Sequence, residues 1–319
     1  RFEKERAKLS PGRGAIQDVE IRTVGAPIVT GEIPGVIAAV GCSLYPRSGK
    51  ELVEIAEEFI SRGYIFVTSG CAAMTLGIES VDFDPEGKGR SMYEIYPGEF
   101  NKGCLVNVGS CVANSHITGA AIKIANIFAK RKLLGNYEEI ADYMINRVGA
   151  VGLVWGTMST KALAIGNGAM RLGIPVVWGP SGIKYRAQFL SDEKTSWLNY
   201  ESYGKGENGM IDISSCPEHL SVVAKDVKEA KVLLAKLCFR AADGIKGRTT
   251  KLTHYIEIYL KEYGKFPEDV YKFIRSESEI PMTYKDEIMK ILKEKNWKEK
   301  FMVAGGYGDP TLLKRMVKK

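Results

Sequence analysis

No apolar run in the sequence approaches the ~18 to 20 residues that a helix needs to cross a bilayer, so no membrane span is expected. The first residues, Arg1-Phe2-Glu3-Lys4-Glu5-Arg6, are charged with no apolar core behind them. No secretory leader is therefore expected, and the expected compartment is the cytoplasm. An initiator methionine is also missing, which suggests a processed chain or a piece of a longer one. Six cysteines stand at 42, 71, 104, 111, 216 and 238 without a Cys-x-x-Cys pair. That spacing argues against an ordinary zinc ribbon or bacterial ferredoxin cluster. In a chain of this kind it points to metal, redox chemistry or core thiols rather than a disulfide framework. Fixed-period repeats and low-complexity tracts are absent too.

Charge of one sign is scarce as a patch. Lys plus Arg number 45 against 38 Asp plus Glu, a net charge of +7, but the basic residues are spread along the chain. A nucleic-acid binder would concentrate them, so no nucleic acid is expected. A solvated surface or an acidic protein partner accounts for the balance. With 319 residues, 45% of them hydrophobic and 26% charged, the chain has ample material for a core and about two domains.

From residue 35 onward, short Val/Ile-rich runs alternate with amphipathic stretches, the pattern of a parallel sheet covered on both faces. The expected strands are 35–40, 64–68, 105–108, 151–155, 174–178 and 220–224. Helices are expected at about 48–62, from near Cys71, and at 115–132, 137–147, 159–172 and 226–239. Segment 181–218 is Gly/Ser/Tyr-rich and reads as a long loop. Residues 250–319 are Lys/Glu-rich with helical period and no strand signal. The expected fold class is therefore α/β: a doubly wound, Rossmann-like parallel sheet of about six strands followed by a C-terminal helical appendage. The expected division is a linker at 1–34, the sheet domain at 35–242 and a helical extension at 243–319.

Four residues stand at successive strand exits: Cys42, Cys71, Cys111 and, opening the helix after the fourth strand, Lys161. Open parallel sheets bind ligands outside the carboxyl ends of their strands, so three thiols and an amine are expected to converge on one crevice. Tight turns and helix N-termini around the cysteines should favour thiolate, the form that soft metals and iron-sulfur clusters require. For any one cysteine the plain reading is a small buried side chain. Three at strand exits shift the balance to a site.

Other residues read more plainly. Cys104 lies at the start of the third strand, away from the carboxyl edge, and reads as packing. Cys216-Pro-Glu-His219 has half a zinc spacing but no second pair. Cys238 falls on the apolar face of its helix, His254 reads as helical surface, and Trp155 and Trp178 as core. Gly166-Asn-Gly168 and Gly179-Pro-Ser-Gly182 match no phosphate-cradling motif. His116, in the turn after Cys111, is a candidate for a hydrogen bond beside the site and hence a catalytic candidate, the alternative being an ordinary helix N-terminal residue.

Four segments together carry a family resemblance: Gly41-Cys42, Ser69-Gly70-Cys71-Ala72-Ala73, Asn107-Val-Gly-Ser-Cys111-Val-Ala-Asn114 and Met158-Ser-Thr-Lys161-Ala-Leu-Ala-Ile165-Gly. In order, they resemble the cluster-binding segments of nickel-iron carbon monoxide dehydrogenases, best the archaeal catalytic α subunits of acetyl-CoA decarbonylase/synthase complexes. The resemblance implies oxidation of CO with water to CO2, two protons and two electrons on a nickel-iron-sulfur cluster. It implies that Cys42 and Cys71 each hold an iron, that Cys111 holds the nickel, and that Lys161 is the cation beside the substrate. Ile165 would crowd the open nickel position. Further ligands and relay 4Fe-4S clusters belong to upstream segments absent here, so this piece is expected to be inactive alone. Ferredoxin as electron acceptor, a homodimer and a small partner subunit within a multienzyme complex are implied as well. The rivals are a hybrid-cluster hydroxylamine reductase-like protein and a non-catalytic flavodoxin-like or nucleotide-binding association module.

Overall fold

The computed structural model describes residues 34–43, 46–79, 104–107, 109–113, 117, 149–156, 160–171, 174–180, 221–240, 245–277 and 280–303. Among the described residues six strands form the sheet: β1 Val36–Val40, β2 Ile65–Thr68, β3 Cys104–Asn107, β4 Ala150–Val154, β5 Val176–Trp178 and β6 Ser221–Val223. Their order is β3-β2-β1-β4-β5-β6, and all five pairings are parallel. The doubly wound sheet expected from the Val/Ile runs is therefore present. The chain leaves β1 toward β2 and β3 on one side, and β4 leads toward β5 and β6 on the other. Between β1 and β4 lies the topological switch point, where sheets of this order bind ligands.

Period-2 alternation explains the two faces. Ile37, Ala39, Val151, Leu153 and Val177 join the core beneath α1 (Pro46–Ile60) and α4 (Val227–Arg240). Val40, Val154, Val176 and Trp178 point the other way, against Ala162, Leu163 and Met170 of α3 (Thr160–Arg171). Helix α1 opens on Pro46, whose fixed φ suits a first helical position. It buries Leu52, Ile55, Ala56 and Phe59 at helical spacing. Helix α2 spans Gly70–Glu79.

Beyond β6 the elements among the described residues are all helices, as the composition implies: α5 Ile245–Tyr263, α6 Glu268–Ser276, α7 Met282–Leu292 and α8 Trp297–Val303. Helix α5 packs along α4. Leu252, Tyr255, Ile256 and Phe301 belong to the same apolar cluster as Ile37 and Phe59, so the helices share one core with the sheet. One residue departs from expectation here. His254, read from sequence as surface, is largely covered, its Nδ1 lying 3.3 Å from the Tyr64 hydroxyl. The reason is that α5 turns this face onto the sheet. The expected helices at 115–132 and 137–147 and the loop at 181–218 fall outside the described residues, except for a helical Ile117. None of the described helices is long and apolar enough to cross a membrane.

Candidate metal centre at the switch point

Cys42 follows β1 by two residues. Gly41 makes that exit possible: its φ is +138°, and a Cβ there would lie 1.8 Å from the Trp155 carbonyl oxygen. The Trp155 N–H donates to the Val40 carbonyl at 3.0 Å, so the Cys42 turn is fastened to the end of β4. The Trp155 indole Nε1 donates in turn to Glu51 Oε2 of α1 at 3.2 Å.

Cys71 is the second residue of α2. Gly70 before it has φ +57° and donates its N–H to the Gly109 carbonyl at 2.8 Å. A Cβ on Gly70 would meet the Cys111 Cβ at 2.7 Å and its backbone nitrogen at 2.8 Å. Only glycine lets the helix carrying Cys71 come this close to the 3-10 turn Cys111–Ala113. On the far side, Lys161 in the first turn of α3 donates from Nζ to the Cys111 sulfur at 3.7 Å. The lysine is exposed and the cysteine partly buried.

Burial pushes the Cys71 thiol up, and the nearby Cys42 and Cys111 sulfurs add to it, as does its hydrogen bond to Cys42. Cys71 is thus a neighbour of both Cys42 and Cys111. For Cys71 this corrects the expectation that the helix N-terminus favours thiolate: desolvation and two neighbouring sulfurs outweigh the backbone hydrogen bond that pulls the other way. Among the described residues no three His, Cys, Asp or Glu side chains gather around a single metal ion. The arrangement instead offers one thiol per loop, the form of donor set that a multinuclear iron-sulfur cluster takes from a protein.

Cys104 opens β3, at the opposite end of that strand from the Cys111 turn. Cys238 is fully buried in the core, its thiol pushed up to about 12 by burial. Trp155 and Trp178 are buried as well. Ile165 is half-buried against the cluster containing Val154 and Trp178. His116, Cys216 and His219 lie outside the described residues. Reading the sequence missed the buried hydroxyls of Ser43 and Thr75, which stand beside Cys42 and one turn after Cys71. It also missed the exposed Met74 and Val112, 52% and 72% accessible, at the rim of the same edge. The available signal was position alone: each lies within four residues of a site cysteine.

The chain matches the family model described as Prismane/CO dehydrogenase family over residues 4–204. It is 51% identical over 317 residues to the acetyl-CoA decarbonylase/synthase complex subunit alpha of Methanothermobacter thermautotrophicus, covering 99% of this chain and 39% of that protein. To the subunit alpha of Methanocaldococcus jannaschii it is 52% identical over 308 residues, covering 96% of this chain and 38% of that protein. Carbon monoxide dehydrogenase IV from Carboxydothermus hydrogenoformans aligns with a TM-score of 0.43 at 21% identity, over 78% of this chain and 34% of that one. The chain spans about 40% of the length of the curated relatives it matches. It belongs to the prismane/CO dehydrogenase family.

Proposed function

We propose that the chain is the cluster-binding portion of a carbon monoxide dehydrogenase subunit, working within an acetyl-CoA decarbonylase/synthase complex. The observation that carries this reading is the placement of Lys161 Nζ 3.7 Å from the Cys111 sulfur, beside thiols from two further strand exits. Cys42 and Cys71 would each hold an iron, and Cys111 the nickel. When bound, a nickel-iron-sulfur cluster supplies the two-electron redox chemistry of CO + H2O → CO2 + 2 H+ + 2 e−. Ferredoxin is the proposed acceptor of those electrons.

Lys161 has the second role. Its ammonium, held at the mouth of the crevice, stabilises the negative charge that grows on substrate oxygen as CO and CO2 interconvert. A residue chosen only for helix stability would be acidic in a first helical turn, yet α3 has no acidic residue there. Ile165, one turn on and half-buried against the cluster containing Val154 and Trp178, would crowd the open nickel position. The family includes hybrid-cluster proteins, but lysine in the Ser-Thr-Lys-Ala context and the names of the similar subunits favour the carbon monoxide dehydrogenase branch. The remaining cluster ligands, the relay 4Fe-4S clusters and the contacts to a second copy and a small partner subunit belong to the longer polypeptide, so the 319-residue piece alone is inactive.

The test uses the full-length subunit loaded anaerobically. Lys161→Ala should leave folding and metal content nearly unchanged while lowering CO oxidation about 10²-fold or more, roughly 2.7 kcal/mol of lost charge stabilisation. Cys111→Ala is the control and should remove nickel and activity together. Near-full turnover by Lys161→Ala with nickel in place would return the lysine to the surface.

A further inference from the structure

Two of the three thiols sit on elements that are joined by a pair of buried hydroxyls. Ser43 directly follows Cys42 and is fully buried, while Thr75 lies one helical turn after Cys71 and is 5% exposed. The Ser43 hydroxyl donates to Thr75 Oγ1 at 3.2 Å, and the Thr75 hydroxyl donates to the Ser43 carbonyl oxygen at 3.1 Å. Both hydroxyl protons are therefore used within one closed pair. A third element backs it: a Cβ on Gly49 of α1 would lie 2.9 Å from the Ser43 carbonyl oxygen and 3.0 Å from Thr75 Cγ2. Buried polar groups are costly unless satisfied, and reciprocal satisfaction fixes their separation.

We infer that Thr75, acting through Ser43, is a positioning residue that holds the Cys42 turn and the Cys71 helix at the spacing a shared cluster requires. The inference rests on the proposed role of the three thiols. It assigns to the hydroxyls the part that supporting hydrogen bonds play around metal ligands, setting where the donors stand before anything is bound. The methyl of Thr75 packs and its hydroxyl clamps, so two substitutions separate the functions. Thr75→Val keeps the shape and deletes both hydrogen bonds. Thr75→Ser keeps both bonds and deletes the methyl.

The probe is phenylarsine oxide, which bridges only sulfurs held close together, applied to the reduced, metal-free full-length subunit with the bridged peptides mapped by mass spectrometry. Wild type and Thr75→Ser should be captured across Cys42 and Cys71 with similar affinity, and Thr75→Val should bind at least about tenfold more weakly because the effective concentration of the second sulfur falls. Ser43→Ala, which removes one of the two bonds, should show a smaller loss and keeps the test open if Thr75→Val folds poorly by circular dichroism. In the full-length subunit, Thr75→Val should also lower nickel and iron content, with Thr75→Ser restoring it. Equal capture by wild type, Thr75→Val and Ser43→Ala overturns the clamp while leaving the reading of the thiols standing. A wild-type chain that is never bridged across Cys42 and Cys71 overturns both together.

Discussion

At Gly70 one added methyl would press on the backbone of the Cys111 turn as well as on its side chain. With φ at +57° the substitution carries backbone strain in addition. Gly70→Ala should lower stability by about 1 to 3 kcal/mol in urea unfolding and weaken bridging between Cys71 and Cys111; unchanged stability would mean that the turn yields freely. His254 offers a second single-residue test. Burial holds its pKa down at about 4, the Arg62 cation adding to the effect, against 6.5 for an ordinary histidine. Between those values the unfolded chain binds a proton that the folded chain refuses, so stability falls as pH drops from about 6.5 to about 4. The loss should reach roughly 2 kcal/mol by pH 5, and His254→Gln should flatten that part of the profile relative to wild type. Parallel profiles for the two proteins would show that the imidazole is not the group responsible.

Helix α5 is fastened by charge to α1, to the turn that follows it and to α8. Arg62 reaches Glu58 at 2.9 Å and Glu257 at 2.6 Å, while Lys261 reaches Glu58 and Lys298 reaches Glu257, each at 2.5 Å. Burial alone would raise the Glu58 carboxyl, but Lys261 and Arg62 outweigh it and hold it below the usual range. That stabilisation is present above the ordinary carboxylate pKa of 4.5 and is lost as pH falls through the depressed folded value. Glu58→Gln should therefore lower the melting temperature at pH 7 and make the acid limb below pH 4.5 shallower; identical melting curves at pH 7 would show the pairs to be solvated rather than structural. None of this network was legible in the sequence. The strands were, because runs such as Ala150–Val154 are buried on both faces and need no register to be recognised. So was the inner face of α1, whose period of 3.6 is carried by four apolar side chains. That Cys71 lies beside Cys42 and Cys111 was readable from their strand exits, since topology alone brings those ends to one edge. Ser43 with Thr75, and Tyr64 with His254, leave no periodic trace, because each pair meets only after distant elements pack.

For the molecule as a whole, the shared core decides how much of the chain can stand alone. Tyr64, Leu234 and Leu237 are covered in the same cluster that contains Leu252, Tyr255 and Phe301. A chain ending at residue 242 would leave an apolar face of the sheet layer open, so it should be insoluble or lack a cooperative thermal transition. A soluble 1–242 fragment with a sharp transition near that of the full chain would show the helices to be dispensable. The strand order has a consequence in time as well as in space. Val36 pairs with Ile65, and Ile65 with Cys104, whereas the other neighbour of Val36 is Ala150. On a ribosome adding about 5 to 20 residues per second, the β1-β2-β3 half is complete several seconds before β4 has been made. The turns carrying Cys42, Cys71 and Cys111 are thus synthesised as one batch. Lys161, on the helix after β4, joins them last, as the nascent chain begins the second half of the sheet.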